Sequence, residues 1–436
     1  MYNQFAVNRK ILDLAIPNII SNITIPLLGM VDLALMGHLE DKVYIGAVAV
    51  GGMIFNFIYW SFSFLRMGTS GFTAQAYGRR DLTEIAMILS RALILAGSVA
   101  ALLILLQHPI ATLSFKITGG SQQVEYLARE YFHIRILAAP ATIGLYALTG
   151  WFLGMQNARI PMLITLLVNL INIGFSFMLI RVFNMGADGV ALGTVIAQYS
   201  GLIFAIWFLF KFYRKIFRHW QPDALLDKKA LIRFFTVNRD IFIRTMCLIF
   251  TISFFTTQSA RANDTILAVN TLLMQFFMLF SFLVDGYAHA AEALTGRYIG
   301  AKNSLNLRTG IRLLFFWAGG IALGFTLAYL AAGKYLLLIL TSNREIITAA
   351  AEYFPWVLLI PIVTFPAFIW DGIYIGATAS IVMRNTMLIS TLLVFLPAYF
   401  ILEPVFGNHG LWLAFMAFMA SRGITLTIMA KKSIWG

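Results

Sequence analysis

The stretch ILDLAIPNIISNITIPLLGMVDLALMGH, residues 11–38, decides the reading of this chain. A helix rises 1.5 Å per residue, so this run is long enough to cross the ~30 Å hydrocarbon of a bilayer. Its outer part, from Leu27 to His38, is an apolar helix with one acid inside it, Asp32. An ionised carboxylate in hydrocarbon costs about 2.5–3.5 kcal/mol on insertion scales. A residue that expensive is usually retained for a job.

The rest of the chain repeats the pattern. Of 436 residues, 60% are hydrophobic and 12% charged, against roughly 25% charged in soluble domains. The mean hydropathy is +0.82. Eleven further apolar runs follow the first, at 43–69, 86–108, 124–153, 160–181, 188–212, 240–262, 266–296, 309–333, 346–375, 384–402 and 408–430. Barrel strands would be short and alternating, so the class is an all-α membrane protein with twelve spans. The long polar connection at 213–239 separates a first lobe, 1–212, from a second, 240–436. One cysteine, Cys247, excludes an intramolecular disulfide and a thiolate metal cluster. No cleavable signal peptide or lipidation motif is apparent.

The net charge of +13 reads as a basic cytoplasmic face and not as a nucleic-acid surface. With the N-terminus inside, the outer segments hold only Lys42, Lys116, Arg181, Arg261, Lys334 and Arg344 of the 32 Lys and Arg. The inner segments hold most of the others, including the cluster from Lys211 to Arg239. The bias follows the positive-inside rule and, with an even span count, puts both termini in the cytoplasm.

The two halves read as copies. At one offset of 222 residues, Glu130-Tyr131-Phe132 falls on Glu352-Tyr353-Phe354, Gly150 and Gly154 on Gly372 and Gly376, and Thr73 and Gly78 on Thr295 and Gly300. Two six-span copies of the same topology make a parallel repeat. Each carries Gly-x-x-x-Gly, which lets helices approach closely.

These residues resemble the MATE multidrug exporters, specifically the DinF branch. The matching segments include Ala15-Ile16-Pro17, Val31 to Leu39, Gly71 to Gly78, Gly150 to Gly154, Asn238 to Ile241, Asp285-Gly286 with Glu292-Ala293, Asp371-Gly372, and Gly407-Asn408-His409. The resemblance implies a V-shaped pair of six-helix lobes in the bacterial inner membrane. It implies export of cationic, amphipathic, drug-like compounds by antiport with H+, and a protein surrounded by membrane lipid. A monomer is expected, with no cofactor beyond the coupling ion. Na+ coupling on the same fold and a lipid-linked-precursor flippase are the alternatives.

On this reading Asp32 is the proton- or ion-coupling carboxylate. It lies in the outer half of its span, about 20 residues from the cytoplasmic start. The basic residues gather near the other end, so its ionised form lacks an evident cation. Pro26, six residues earlier, removes a backbone bond and permits a kink, static or switching. The fifth span carries Asn169, Asn172 and Ser176. Resemblance places Asn172 in a polar cluster facing Asp32, although plain interhelical hydrogen bonding explains it as well. Many relatives have a second acid where Ser176 stands, which leaves Asp32 as the main titratable group of its lobe. The second lobe has Asp285, Glu292 and Asp371 at depths similar to Arg244, Arg297 and Arg384. Ion pairs are expected there, Arg244 with Asp285 or Asp371, as a structural network or gate near the inner mouth. The Phe- and Met-rich run at 272–282 reads as packing or lipid-facing surface.

Enzyme classes lack support. There is no His-Glu-x-x-His, no Gly-x-Ser-x-Gly and no Gly-x-x-x-x-Gly-Lys phosphate loop. No His, Cys or acidic cluster suggests a metal.

Overall fold

A computed structural model describes residues 2–37, 42–118 and 121–435, with side chains described except at 2, 3, 32–37, 42 and 334. Among these residues the chain is helical throughout. The helices are α1 (Tyr2–Gly37), α2 (Lys42–Ser61), α3 (Phe64–Arg79), α4 (Leu82–Leu105), α5 (Gln107–Thr118), α6 (Gln122–Arg135), α7 (Ala139–Gly154), α8 (Arg159–Arg181) and α9 (Ala187–Tyr213). They continue as α10 (Pro222–Leu225), α11 (Lys228–Ala262), α12 (Asp264–Gly300), α13 (Ser304–Leu340), α14 (Arg344–Gly376), α15 (Ser380–Ile389), α16 (Leu396–Phe406) and α17 (Asn408–Ser433). A 3₁₀ segment, Arg214–His219, follows α9, and a π-helical stretch, Ser390–Phe395, joins α15 to α16.

These helices form 12 candidate membrane spans by length and hydropathy. Several spans are built from two segments. The second, Val43–Arg79, breaks between α2 and α3, and the fourth, Gln122–Gly154, tightens into a 3₁₀ turn at Ile136–Ala138. The chain is a multi-pass membrane protein of all-α class. Irregular backbone at membrane depth is tolerated where protein buries it, and Ile136 and Ala138 are fully buried.

The 222-residue repeat appears in the geometry of the turns. Arg80 and Lys302 both sit in the left-handed region, at φ 60° and 51°, and so do Gln156 and Thr378, at 63° and 53°. Such a conformation costs a non-glycine residue roughly 1–2 kcal/mol, so its recurrence at matched positions marks a common turn design. The caps match too. The Asp81 carboxylate accepts from Glu84 N–H at 2.9 Å and the Asn303 amide from Asn306 N–H at 3.0 Å. Ser121 and Asn343 cap the helices that begin after them.

The glycine pairs act alike in both copies. A Cβ on Gly150 would stand 2.3 Å from the Arg66 carbonyl, and one on Gly372 would stand 2.1 Å from that of Ala288. Arg66 and Ala288 are themselves 222 residues apart. One turn on, Gly154 and Gly376 meet the carbonyls of Ser70 and Glu292. The absent side chains thus seat α7 on α3 and α14 on α12.

Contacts divide the chain into two compact units, Ile20–Phe235 and Met1–Ile19 with Thr236–Gly436, called here the first and second unit. The boundaries differ from the sequence division at 212 and 240. Residues before Ile20 pack in the second unit: Ile19 and Ala15 lie against Gly286, and Trp317 Nε1 donates to Asn8 Oδ1 at 2.6 Å. The connection after α9 packs in the first unit. Arg91 there donates to the carbonyls of Ala224 and Leu225 at 2.5 and 3.3 Å, and Phe234 lies on Phe72 with ring centroids 5.6 Å apart.

Candidate functional site

In the first unit, α8 and α9 build a buried polar cluster. Asn172 is 2% exposed and Ser176 fully buried. Ser176 fits because Gly193 on α9 has no side chain: a Cβ there would stand 2.5 Å from Ser176 Oγ. The next residue, Thr194, accepts from Asn172 Nδ2 at 3.0 Å and donates to the Val190 carbonyl at 2.9 Å. Ser176 Oγ donates to Asn172 Oδ1 at 3.5 Å. The cluster is neutral throughout. Two turns of helix, one on α8 and one on α9, thereby hold hydroxyl and amide groups whose protons are already directed, leaving Asn172 Oδ1 the acceptor of a long bond.

Asn169, one turn before Asn172, donates to the Thr24 carbonyl at 3.5 Å. Thr24 is two residues before Pro26 on α1, and its own hydroxyl turns back to the Ser21 carbonyl at 2.7 Å. Pro26 has no N–H for the carbonyl of Asn22, so this turn of α1 lacks one of its internal bonds. Asp32 continues the same helix six residues on. Its side chain lies outside the described residues, as do His38 and Leu39.

The second unit holds charges. Asp371, on α14, receives two guanidinium groups on Oδ2, one from Arg244 on α11 and one from Arg422 on α17 at 2.6 Å. All three residues are buried, with Asp371 5% exposed and Arg422 2%. Arg422 also reaches Met419 Sδ at 3.1 Å and stacks over Phe418 at 5.4 Å. Asp285 acts on Arg422 electrostatically. Of the two partners open to Arg244 from sequence, the pair is therefore with Asp371. Glu292, on α12, is 1% exposed and sits where Gly376 presses on its backbone.

Arg384 belongs to a different group. It donates to Asp240 Oδ1 at 2.7 Å, Arg239 reaches the same oxygen at 3.2 Å, and Ser380 Oγ donates to Oδ2 at 3.0 Å. Asp240 is fully buried. Ser380 is placed there by the left-handed turn at Thr378. Sequence reasoning passed over Arg422, Thr194 and Asp240. Only the Gly193-Thr194 pair carried a signal, a small residue beside a hydroxyl facing the asparagine span.

Among the described residues, no group of three His, Cys, Asp or Glu side chains is disposed to hold a metal ion. One unit thus holds a neutral hydrogen-bonded cluster beside a helix that carries an acid, the other carboxylates clamped by arginines.

The MatE family model matches residues 17–178 and 242–400, one segment in each half of the repeat. The chain is 38% identical over 427 residues to the DNA damage-inducible protein F of Escherichia coli (strain K12), covering 96% of this chain and 91% of that protein. Among solved structures, it resembles the outward-facing conformation of a multidrug resistance MATE family transporter of the MOP superfamily. The TM-score is 0.89 at 18% identity, over 98% of this chain and 96% of that one. The MATE transporter VcmN of Vibrio cholerae in the bent form matches with a TM-score of 0.87 at 17% identity, over 100% and 98% of the two chains. At these identities the structural likeness concerns the fold.

Proposed function

The chain belongs to the MatE family and is a secondary active efflux transporter, not an enzyme; from that premise we propose that it exports cationic, amphipathic, drug-like compounds in exchange for protons, with Asp32 as the coupling carboxylate. The protein acts as a monomer in the bacterial inner membrane, with both termini in the cytoplasm.

The observation that carries this reading is how the second unit treats its carboxylates. Asp371 is held by two guanidinium groups and Asp240 by two more and a hydroxyl. Protonating either acid would give up charge-assisted hydrogen bonds of ~1.5–3 kcal/mol each. Groups held in that way serve the architecture. The Arg244–Asp371–Arg422 set, with Asp285 and Glu292 on α12 packed against α14, is a structural network of the second unit. Proton traffic then falls to Asp32, in an apolar turn of α1, with Asn169, Asn172 and Ser176 as the neutral groups that receive it. Protonation of Asp32 removes the charge that favours a cationic drug, and the bend at Pro26 follows the change. A membrane potential adds about 2.3 kcal/mol per charge per 100 mV to each cycle.

The test is efflux of a fluorescent cation from proteoliposomes with either a pH or a Na+ gradient imposed. Efflux follows the pH gradient, and Asp32→Asn abolishes it while the protein still inserts and melts as before. Efflux driven by Na+ and indifferent to pH, or full activity of Asp32→Asn, overturns the reading.

A further inference from the structure

On the first unit an apolar groove of about 380 Å³ runs between α4, α7 and α9, within the ~300–1,000 Å³ of small-molecule sites. Glycines on two of its walls make the room. A Cβ on Gly97 of α4 would meet nothing within 4 Å, and one on Gly144 of α7 would only touch Leu202 at 3.4 Å. The outer rim is exposed hydrocarbon, with Ile206 at 40% and Phe210 at 54%. In a membrane span such a groove is filled by hydrocarbon.

One end is different. Phe217, in the 3₁₀ segment Arg214–His219, folds back on Phe210 with ring centroids 5.3 Å apart, and both line the groove. Side chains three residues apart in a 3₁₀ helix stand in a row, so Arg214 shares the face of Phe217. Trp220 closes the row, its Nε1 donating at 3.2 Å to Ser90 Oγ, another lining residue. Arg214, Lys215, Arg218 and His219 are all exposed at this end. Among the described residues no carboxylate lies within ion-pair distance of Arg214, Lys215 or Arg218. The nearby Asp227 is engaged as a helix cap on Lys229 and Ala230 N–H. An acyl-sized slot thus ends on unpaired cations and an interfacial tryptophan. Polar heads of negative charge are what basic pockets between membrane helices select.

We propose that this groove is a specific site for an anionic phospholipid, one acyl chain lying between α4, α7 and α9 and the phosphate resting on Arg214 beside Phe217, with Arg218 adding positive charge at the same end. The lining includes neither Asn172 nor Asp371, and the proposal does not rest on the identity of the exported compound or the coupling ion.

The delipidated full-length protein is titrated with a fluorescent phosphatidylglycerol, with phosphatidylcholine of the same chains in parallel, and bound lipid is counted by native mass spectrometry. Phosphatidylglycerol binds more tightly, and each of Arg214→Gln and Arg218→Gln weakens it about five-fold, as ~1 kcal/mol per basic residue implies. Arg214→Lys keeps the charge and restores the preference. Gly97→Leu fills the groove and removes the tight lipid while leaving the arginines in place. Equal binding of the two lipids, or a preference untouched by both arginine variants, overturns the proposal and leaves ordinary annular lipid. Displacement of phosphatidylglycerol by millimolar inorganic phosphate, with Gly97→Leu unaffected, overturns it too, since the anion alone would then be the ligand. Thermal melting of each variant is measured alongside. Where Gly97→Leu no longer melts cooperatively it is replaced by Gly144→Ala, and where a glutamine variant does not, by Arg214→Ala or Arg218→Ala, read by the same criteria.

Discussion

The two halves of this chain share a scaffold but not a chemistry. At the common offset, the buried set Arg244, Asp371 and Arg422 of the second unit answers to Asn22, Thr149 and Ser200 in the first half. The register is secured at the last two positions by the glycines that follow: Gly150 and Gly372, Gly201 and Gly423. Thr149 and Ser200 each turn their hydroxyl to a carbonyl of their own helix, at 2.6 and 2.8 Å. The second unit instead ties three helices together through one carboxylate. The reverse holds for the acid of α1. Asp32 answers to Phe254, which packs edge-on to Phe395 and Tyr399. Even the polar turn of α8 has a distinct counterpart: Asn169 and Asn172 correspond to Thr391 and Val394, inside the π-helical stretch. The repeat therefore fixes where helices touch, and each copy is free to choose what it places at the touching points.

That contrast can be broken most severely at Asp371. Asp371→Ala leaves two buried guanidinium groups facing each other, and the expected loss is about 3–5 kcal/mol. Thr149→Ala, at the matched position, loses well under ~1 kcal/mol by the same measurement of melting in detergent. Grafting the first half's residues, Arg244→Asn with Asp371→Thr and Arg422→Ser, removes every charge at once. The triple variant is more stable than Asp371→Ala alone, since no buried charge is left uncompensated. A triple variant less stable than the single one would show that the ion pairs hold the unit together outright.

The shared scaffold gives smaller and symmetric effects. Gly150→Ala and Gly372→Ala each push a methyl into a backbone carbonyl, and each costs about 1–3 kcal/mol in its own unit. Unequal losses would mean that one helix pair can yield and the other cannot. Smallest are the caps. Asp81→Ala and Asn303→Ala each cost about 1 kcal/mol, seen as faster hydrogen exchange in the first turns of α4 and α13.

Much of the scaffold was legible in the sequence because hydropathy and repetition are carried by many residues. Twelve spans and the offset of 222 follow from runs and glycine spacing that tolerate local error. Partners at membrane depth are another matter. Arg244 offered two carboxylates at similar depth, and its bond to Asp371 is visible only in the packed helices. Arg422 stands among apolar residues of the last span, and no periodicity says which neighbour it meets. Asp240 stands at the edge of a span, and nothing in its neighbourhood in the chain points to Ser380 and Arg384, which meet it 140 and more residues on. The unit boundaries were invisible for a different reason. They fall inside the helices α1 and α11, where no loop, proline cluster or change in composition marks them.

That placement bears on the order in which the protein can be assembled. The first unit holds nothing beyond Phe235, so all its parts have left the ribosome once that residue has. The second unit needs Ala15 and Ile19, made before the whole first unit, and Gly286 and Trp317, made after it. At roughly 5–20 residues per second, the opening turns of α1 wait tens of seconds for their partners while the helix they begin is already engaged downstream of Ile20. Residues before Ile20 are thus packed only after Gly286 and Trp317 have been made.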